Sequence, residues 1–102
     1  EILFDGRSLD NWQGNTTGYT PDNGTIFVTA NYGGSGNLYT KKKYSDFVYR
    51  FDFRYETPGV NNGVGIRTNI GSDAAYDGME IQILDHDDPI YAGLQPYQMP
   101  LL

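Results

Sequence analysis

One stretch of the chain gathers groups that can act together on a polar substrate: Gly78-Met79-Glu80-Ile81-Gln82-Ile83-Leu84-Asp85. Apolar and polar residues alternate along it, the period of a strand with one face in a core. Met79, Ile81 and Ile83 take one face, and Glu80 and Gln82 the other. Strict alternation then puts Leu84 on the polar face and Asp85 on the apolar one. This predicts a β-bulge near Ile83 and Leu84 that brings Asp85 back beside Glu80 and Gln82. A strand with two carboxyls and an amide at E-x-Q-x-x-D spacing can grip polyols, because carboxylates accept hydrogen bonds and an amide both donates and accepts. It can also move protons. The same spacing equally describes a half-exposed strand with a solvated acidic face.

The neighbouring strand expected over 62–68 places Val64 and Ile66 on one side and Gly63, Gly65 and Arg67 on the other. Glycine weakens a strand and opens its backbone, so this face has room for something to lie flat, or for a bulge or a closely packed loop. His86-Asp87-Asp88-Pro89 ends the acidic strand, and a lone histidine at such a place is commonly a turn residue.

Further strands are expected at 25–30, 38–40, 46–56 and 78–85. The 46–56 segment has the strongest pattern. Phe47, Tyr49, Phe51, Phe53 and Tyr55 share one face, and Val48, Arg50, Asp52, Arg54 and Glu56 the other. A one-residue slip would exchange the two faces, so the register is specified and the rings are expected in a core. Ile2-Leu3-Phe4 reads as a short strand, Trp12 as an apolar anchor in a loop, and 15–24 as a polar loop. The segment 69–76 reads as a loop of small residues. Tyr32-Gly33-Gly34-Ser35-Gly36-Asn37 reads as a turn cluster, and Lys41-Lys42-Lys43 as a solvated turn.

Composition sets the outer limits. The chain has 102 residues, with nine Tyr, five Phe and one Trp, enough apolar surface for a packed core. Thirteen glycines and little helical periodicity favour short strands joined by turns. We expect a single domain or part of one across 1–102, without an internal boundary. The net charge of −6 repels phosphate backbones and anionic lipid, which argues against nucleic acid and membrane surfaces as partners and suits neutral ones such as sugars. There is no cysteine, so disulfides, thiol catalysis and cysteine-held metal are excluded. No apolar run reaches membrane-spanning length, so membrane insertion is not expected.

Four segments in order resemble the 3-keto-disaccharide hydrolase family: Leu3-Phe4-Asp5-Gly6-Arg7-Ser8-Leu9-Asp10-Asn11-Trp12; Leu38-Tyr39-Thr40 with Tyr44-Ser45-Asp46-Phe47; Asn61-Asn62-Gly63-Val64-Gly65-Ile66-Arg67; and Gly78 to Asp85. The resemblance runs to about Gln98. It implies an all-β, concanavalin A-like jelly-roll sandwich, usually in exported proteins, and hence an extracytoplasmic place: periplasmic, lipoprotein-anchored or secreted. It also implies a domain about twice this length, so the chain is expected to be an N-terminal half with a foreign-looking Met99-Pro100-Leu101-Leu102 ending. Its sheet would be completed by a second chain, a homo-oligomer partner or a further segment. The E-x-Q-x-x-D row is also similar to the E-x-D-x-x-E signature of laminarinase- and lichenase-type glycosidases. Their retaining mechanism needs two carboxyls about 5 Å apart. The shorter Asp85 and the replacement of the middle acid by Gln82 count against it here.

The resemblance implies cleavage of 3-keto glycosides. A ketone at C3 acidifies the C2 proton, a base removes it, the aglycone leaves, and water adds back. In that setting Glu80, Asp85 and His86 are the candidate bases or ligands of a divalent metal. Arg67 would stabilise the enolate, and Gln82 and Asn62 would hold hydroxyls. Two other readings stay open: a non-catalytic carbohydrate-binding module, and a structural domain of an envelope protein. Both fit the same fold.

Overall fold

Short alternating stretches separated by asparagine and glycine turns pair where a tight connection or a shared apolar face brings them together. The computed structural model describes residues 1–28 and 36–93. Among them are six strands: β1 (Trp12–Gly14), β2 (Tyr19–Asp22), β3 (Thr25–Val28), β4 (Leu38–Thr40), β5 (Asn61–Ile66) and β6 (Met79–Leu84). One turn of helix, α1 (Ala74–Asp77), lies between β5 and β6, and a 3-10 turn (Pro89–Tyr91) follows β6. All three strand pairs are antiparallel: β1 with β4, β2 with β3, and β5 with β6. The fold is therefore all-β, as expected, and its antiparallel pairs are those of a β-sandwich. The end of the 25–30 strand, most of the 32–37 turn cluster, Pro96 and the 99–102 ending lie outside the described residues. The chain divides into two compact units, Glu1–Val48 and Tyr49–Leu102.

In the first unit, β2 and β3 form a hairpin closed by Asn23-Gly24, with Asp22 opposite Thr25. Both turn residues have positive φ, 49° and 82°. That is the twist a two-residue hairpin requires, and asparagine and glycine adopt it most readily. The Thr25 hydroxyl donates to the Asp22 carbonyl at 2.7 Å. The expected polar loop at 15–24 thus contains a strand. Trp12 is likewise in a strand, with Thr40 opposite it, and its indole N–H donates to the Leu3 carbonyl at 2.8 Å. Residues 2–4 form no strand, and the Leu3 carbonyl serves the indole instead. Asp5 accepts the backbone N–H groups of Ser8 and Arg7 at 2.9 and 2.8 Å. These bonds hold its carboxyl below the ordinary 3.8.

In the second unit the β5–β6 ladder is regular from Asn61 opposite Leu84 to Ile66 opposite Met79. The expected loop at 69–76 contains the start of α1. Ala74, 8% exposed, seats its methyl over Gly65, where any added Cβ would overlap it. The Asp77 carboxylate accepts the Asn69 N–H at 3.0 Å, closing the loop before the helix. This bond is the main reason its carboxyl titrates below 3.8, with side-chain bonds from Asn69, Ser72 and Thr68 adding to it.

The expected 46–56 strand is corrected. Among the described residues this segment belongs to no sheet. The strand period survives in its side chains: Tyr49 stacks on Phe51 at 4.8 Å and 25°, Phe51 meets Phe53 at 6.2 Å, and Phe53 meets Tyr55 at 5.7 Å. The rings are not buried as expected: Phe47, Tyr49, Phe51, Phe53 and Tyr55 are 37–59% exposed. Tyr49, Phe51, Phe53 and Tyr55 cover one another in a row, and Phe47 meets Tyr44 edge-on at 6.4 Å.

Gly65→Ala forces its new methyl against a helix methyl that cannot swing away, so it should destabilise the hairpin by about 1–3 kcal/mol in urea melts. Asp77→Asn tests the loop closure. Because the folded carboxyl titrates below its unfolded value, its stabilisation is present above pH 3.8 and is lost as pH falls through the folded value. The variant should melt earlier than the parent at pH 7, and the difference should close in acid.

Candidate functional site

The β5–β6 register decides which side chains share a face. Gly63 lies opposite Gln82 and Gly65 opposite Glu80, while Asn62, Val64 and Ile66 lie opposite Ile83, Ile81 and Met79. Glu80, Gln82 and Leu84 therefore share a side with Asn61, Gly63 and Gly65. Glu80 and Gln82 come together as the alternation predicts. The Gln82 amide donates to the Asn61 side-chain oxygen at 2.5 Å. The Glu80 side chain lies across Gly63: a Cβ there would sit 2.7 Å from its Cγ and 2.9 Å from its Cδ. The room left by the two glycines is thus taken by the chain itself, with Glu80 over Gly63 and Ala74 over Gly65.

The expected bulge at Ile83 and Leu84 is absent. Pairing runs straight through Leu84, and the Asp85 N–H donates to the Val60 carbonyl at 2.9 Å. No bulge is needed because Leu84, 3% exposed, is buried on the Glu80 side. That face changes from polar to apolar at its end. Asp85 leaves the Glu80–Gln82 row, and its Oδ2 accepts the Gly59 N–H at 2.9 Å. Gly59 has φ of 75°, and its carbonyl accepts the Tyr91 hydroxyl at 2.7 Å. Asp85 and Tyr91 thus fasten both polar groups of a left-handed glycine that ends the 57–59 turn. Burial first, and then the Asp85 charge, push the Tyr55 hydroxyl above its ordinary 10.0.

The other expected site residues are dispersed. Asn62 lies on the opposite face from Glu80, and its side-chain oxygen accepts the Gly63 N–H at 2.8 Å. Arg67 stands one residue past β5 with φ of 57°, so the strand period does not extend to it. His86 is in the turn after β6, where its N–H donates to the Leu84 carbonyl at 2.8 Å and its Nε2 lies 3.6 Å from Asp87 Oδ1. Among the described residues no three carboxylate or imidazole side chains converge on one point. The divalent metal considered at His86 and its neighbouring acids does not fit this arrangement. Asn61, not Asn62, is the asparagine that joins this face. The signal was its parity, since 61, 63 and 65 alternate together and 62 does not.

The fold and the amide–carboxylate face define an antiparallel β domain with a polar hairpin surface. The sequence profile described as the 3-keto-alpha-glucoside-1,2-lyase-like domain matches residues 1–98, and the chain belongs to that family. Neither the curated proteins nor the solved structures give a significant match. No helix among the described residues is long and apolar enough to cross a membrane.

The geometry separates the two acids of the E-x-Q-x-x-D row. Asp85→Ala should cost about 1–2 kcal/mol in denaturant melts, since it strands the Gly59 N–H. Glu80→Ala, on an exposed side chain over a glycine, should cost less than about 0.5 kcal/mol.

Proposed function

We propose that this chain is a carbohydrate-active domain that cleaves 3-keto glycosides by base-assisted elimination followed by hydration. The observation that carries the reading is the family match over 1–98, whose description names a 1,2-lyase-like action on 3-keto-alpha-glucosides. Elimination across C1 and C2 is the step a C3 ketone makes accessible, because the carbanion left at C2 is delocalised into the carbonyl. The base takes the C2 proton, and the C1–O bond to the aglycone breaks as the C1–C2 double bond forms. The leaving oxygen gains a proton. Water then adds its hydroxyl at C1 and a proton at C2, giving the free 3-keto sugar.

Glu80 is assigned as the base. Its carboxylate is exposed at the surface, lies across the backbone of Gly63, and has Gln82 and Asn61 beside it to hold hydroxyls. Arg67 and His86 stand beyond opposite ends of the β5–β6 ladder, so neither is assigned a part in the step at Glu80. Asp85 is assigned to positioning, through the Gly59 turn. Localisation outside the cytoplasm agrees with sugar substrates and is supported by the family resemblance. The alternative of a binding module rests on the same face, where Gln82 and Asn61 offer hydrogen bonds without chemistry.

The test is release of reducing sugar from a 3-keto disaccharide. A general base contributes about 10²- to 10⁴-fold, so Glu80→Gln should lower kcat by at least about 100-fold with an unchanged melting temperature. Retained glycan affinity with no turnover in the parent chain would identify a module instead. Equal loss of stability and turnover would make Glu80 structural.

A further inference from the structure

The segment 49–56 combines three properties. Its backbone belongs to no sheet among the described residues, so its N–H and C=O groups form a template for another strand. Its ring row is ordered, yet Tyr49 and Phe51 turn their flat faces to each other at 4.8 Å and 25°. The row therefore offers ring edges rather than the flat platform a sugar ring would stack on. On the other side, Arg50, Asp52, Arg54 and Glu56 alternate in sign.

That charge order is its own complement when reversed. In an antiparallel pair with Phe53 opposite Phe53, Arg50 faces Glu56, Asp52 faces Arg54 and Phe51 faces Tyr55. Moving the register two residues either way sets Asp52 against Asp52, or Arg54 against Arg54. Moving it by one sets rings against charges. Parallel pairing in register sets every charge against itself. Of the antiparallel registers this one opposes the most unlike charges, the favourable cross-strand pair, and a parallel pair shifted by two residues opposes them too but does not close on a two-fold axis. Within the chain, Arg54 Nε already lies 2.7 Å from Glu56 Oε1. In the pair, Glu56 would be shared between Arg54 and Arg50 of the second copy.

We propose that 49–56 is the pairing edge for a second copy of this chain, joined antiparallel about a two-fold axis at Phe53. Such a contact is closed, because each copy uses the same surface. The inference uses none of the residues assigned to sugar chemistry, so its failure leaves that reading untouched.

Sedimentation of the whole chain across a concentration series tests it, at physiological salt so that the net charge of −6 per copy is screened. The expected result is a reversible monomer–dimer equilibrium. Arg54→Asp should weaken the dimer by about tenfold, since two symmetric pairs become repulsive. Adding Asp52→Arg to it should restore the parent affinity. Because the chain has no cysteine, Phe53→Cys should give a covalent dimer on oxidation, and Tyr49→Cys should not. A monomer at every concentration overturns the proposal, including one whose 49–56 amides are protected by a different strand. Open-ended assembly, or association unmoved by Arg54→Asp, overturns it as well.

Discussion

The straight β5–β6 register is the constraint on which the second unit depends. It sets a glycine opposite each of Glu80 and Gln82, so the side chains of one strand can fold across the backbone of the other. A carboxylate and an amide would be crowded against a Val or Ile row at those positions. The same register admits Ala74 over Gly65, which anchors the turn of helix between the strands. It also carries Leu84 into the buried end of the face. The polar surface and the small apolar core are two ends of one row.

That arrangement separates chemistry from scaffolding among the acids. Glu80 lies exposed over Gly63 and can meet a substrate. Asp85, Asp77 and Asp5 each hold backbone N–H groups in turns. Sequence spacing gives these carboxyls equal standing. What distinguishes them is whether the strand period is still running where they occur.

Legibility in the sequence followed the length of the alternation. The stretch that became β6 was readable because Met79, Ile81 and Ile83 make one face apolar throughout, and β5 because Val64 and Ile66 do so over most of its length. β2 was hidden because its residues are polar and contain a proline, although Asn23-Gly24 marks its turn. The bulge was expected because the polar face was assumed to stay polar, and the burial of Leu84 is a tertiary fact. Asn61 and Asn62 carry the same chemistry, and only the parity of β5 tells which of them shares a face with Glu80. The 46–56 segment shows the other limit. Its pattern states how it would sit in a sheet, while the partner is a non-local matter that its own residues do not name. The family was legible because four separated segments agree in order, which tolerates errors in any one strand.

The alternating charges on 50–56 bear on a different hazard. Phe47 to Tyr55 is rich in aromatic residues, the composition that stacks into fibrils. A parallel, in-register fibril repeats each side chain about every 4.8 Å along its axis. Arg50 and Arg54 would then form columns of like charge, as would Asp52 and Glu56. The order that makes a closed pair favourable makes an endless stack costly. An exposed aromatic segment of this kind can remain open at the surface without seeding amyloid.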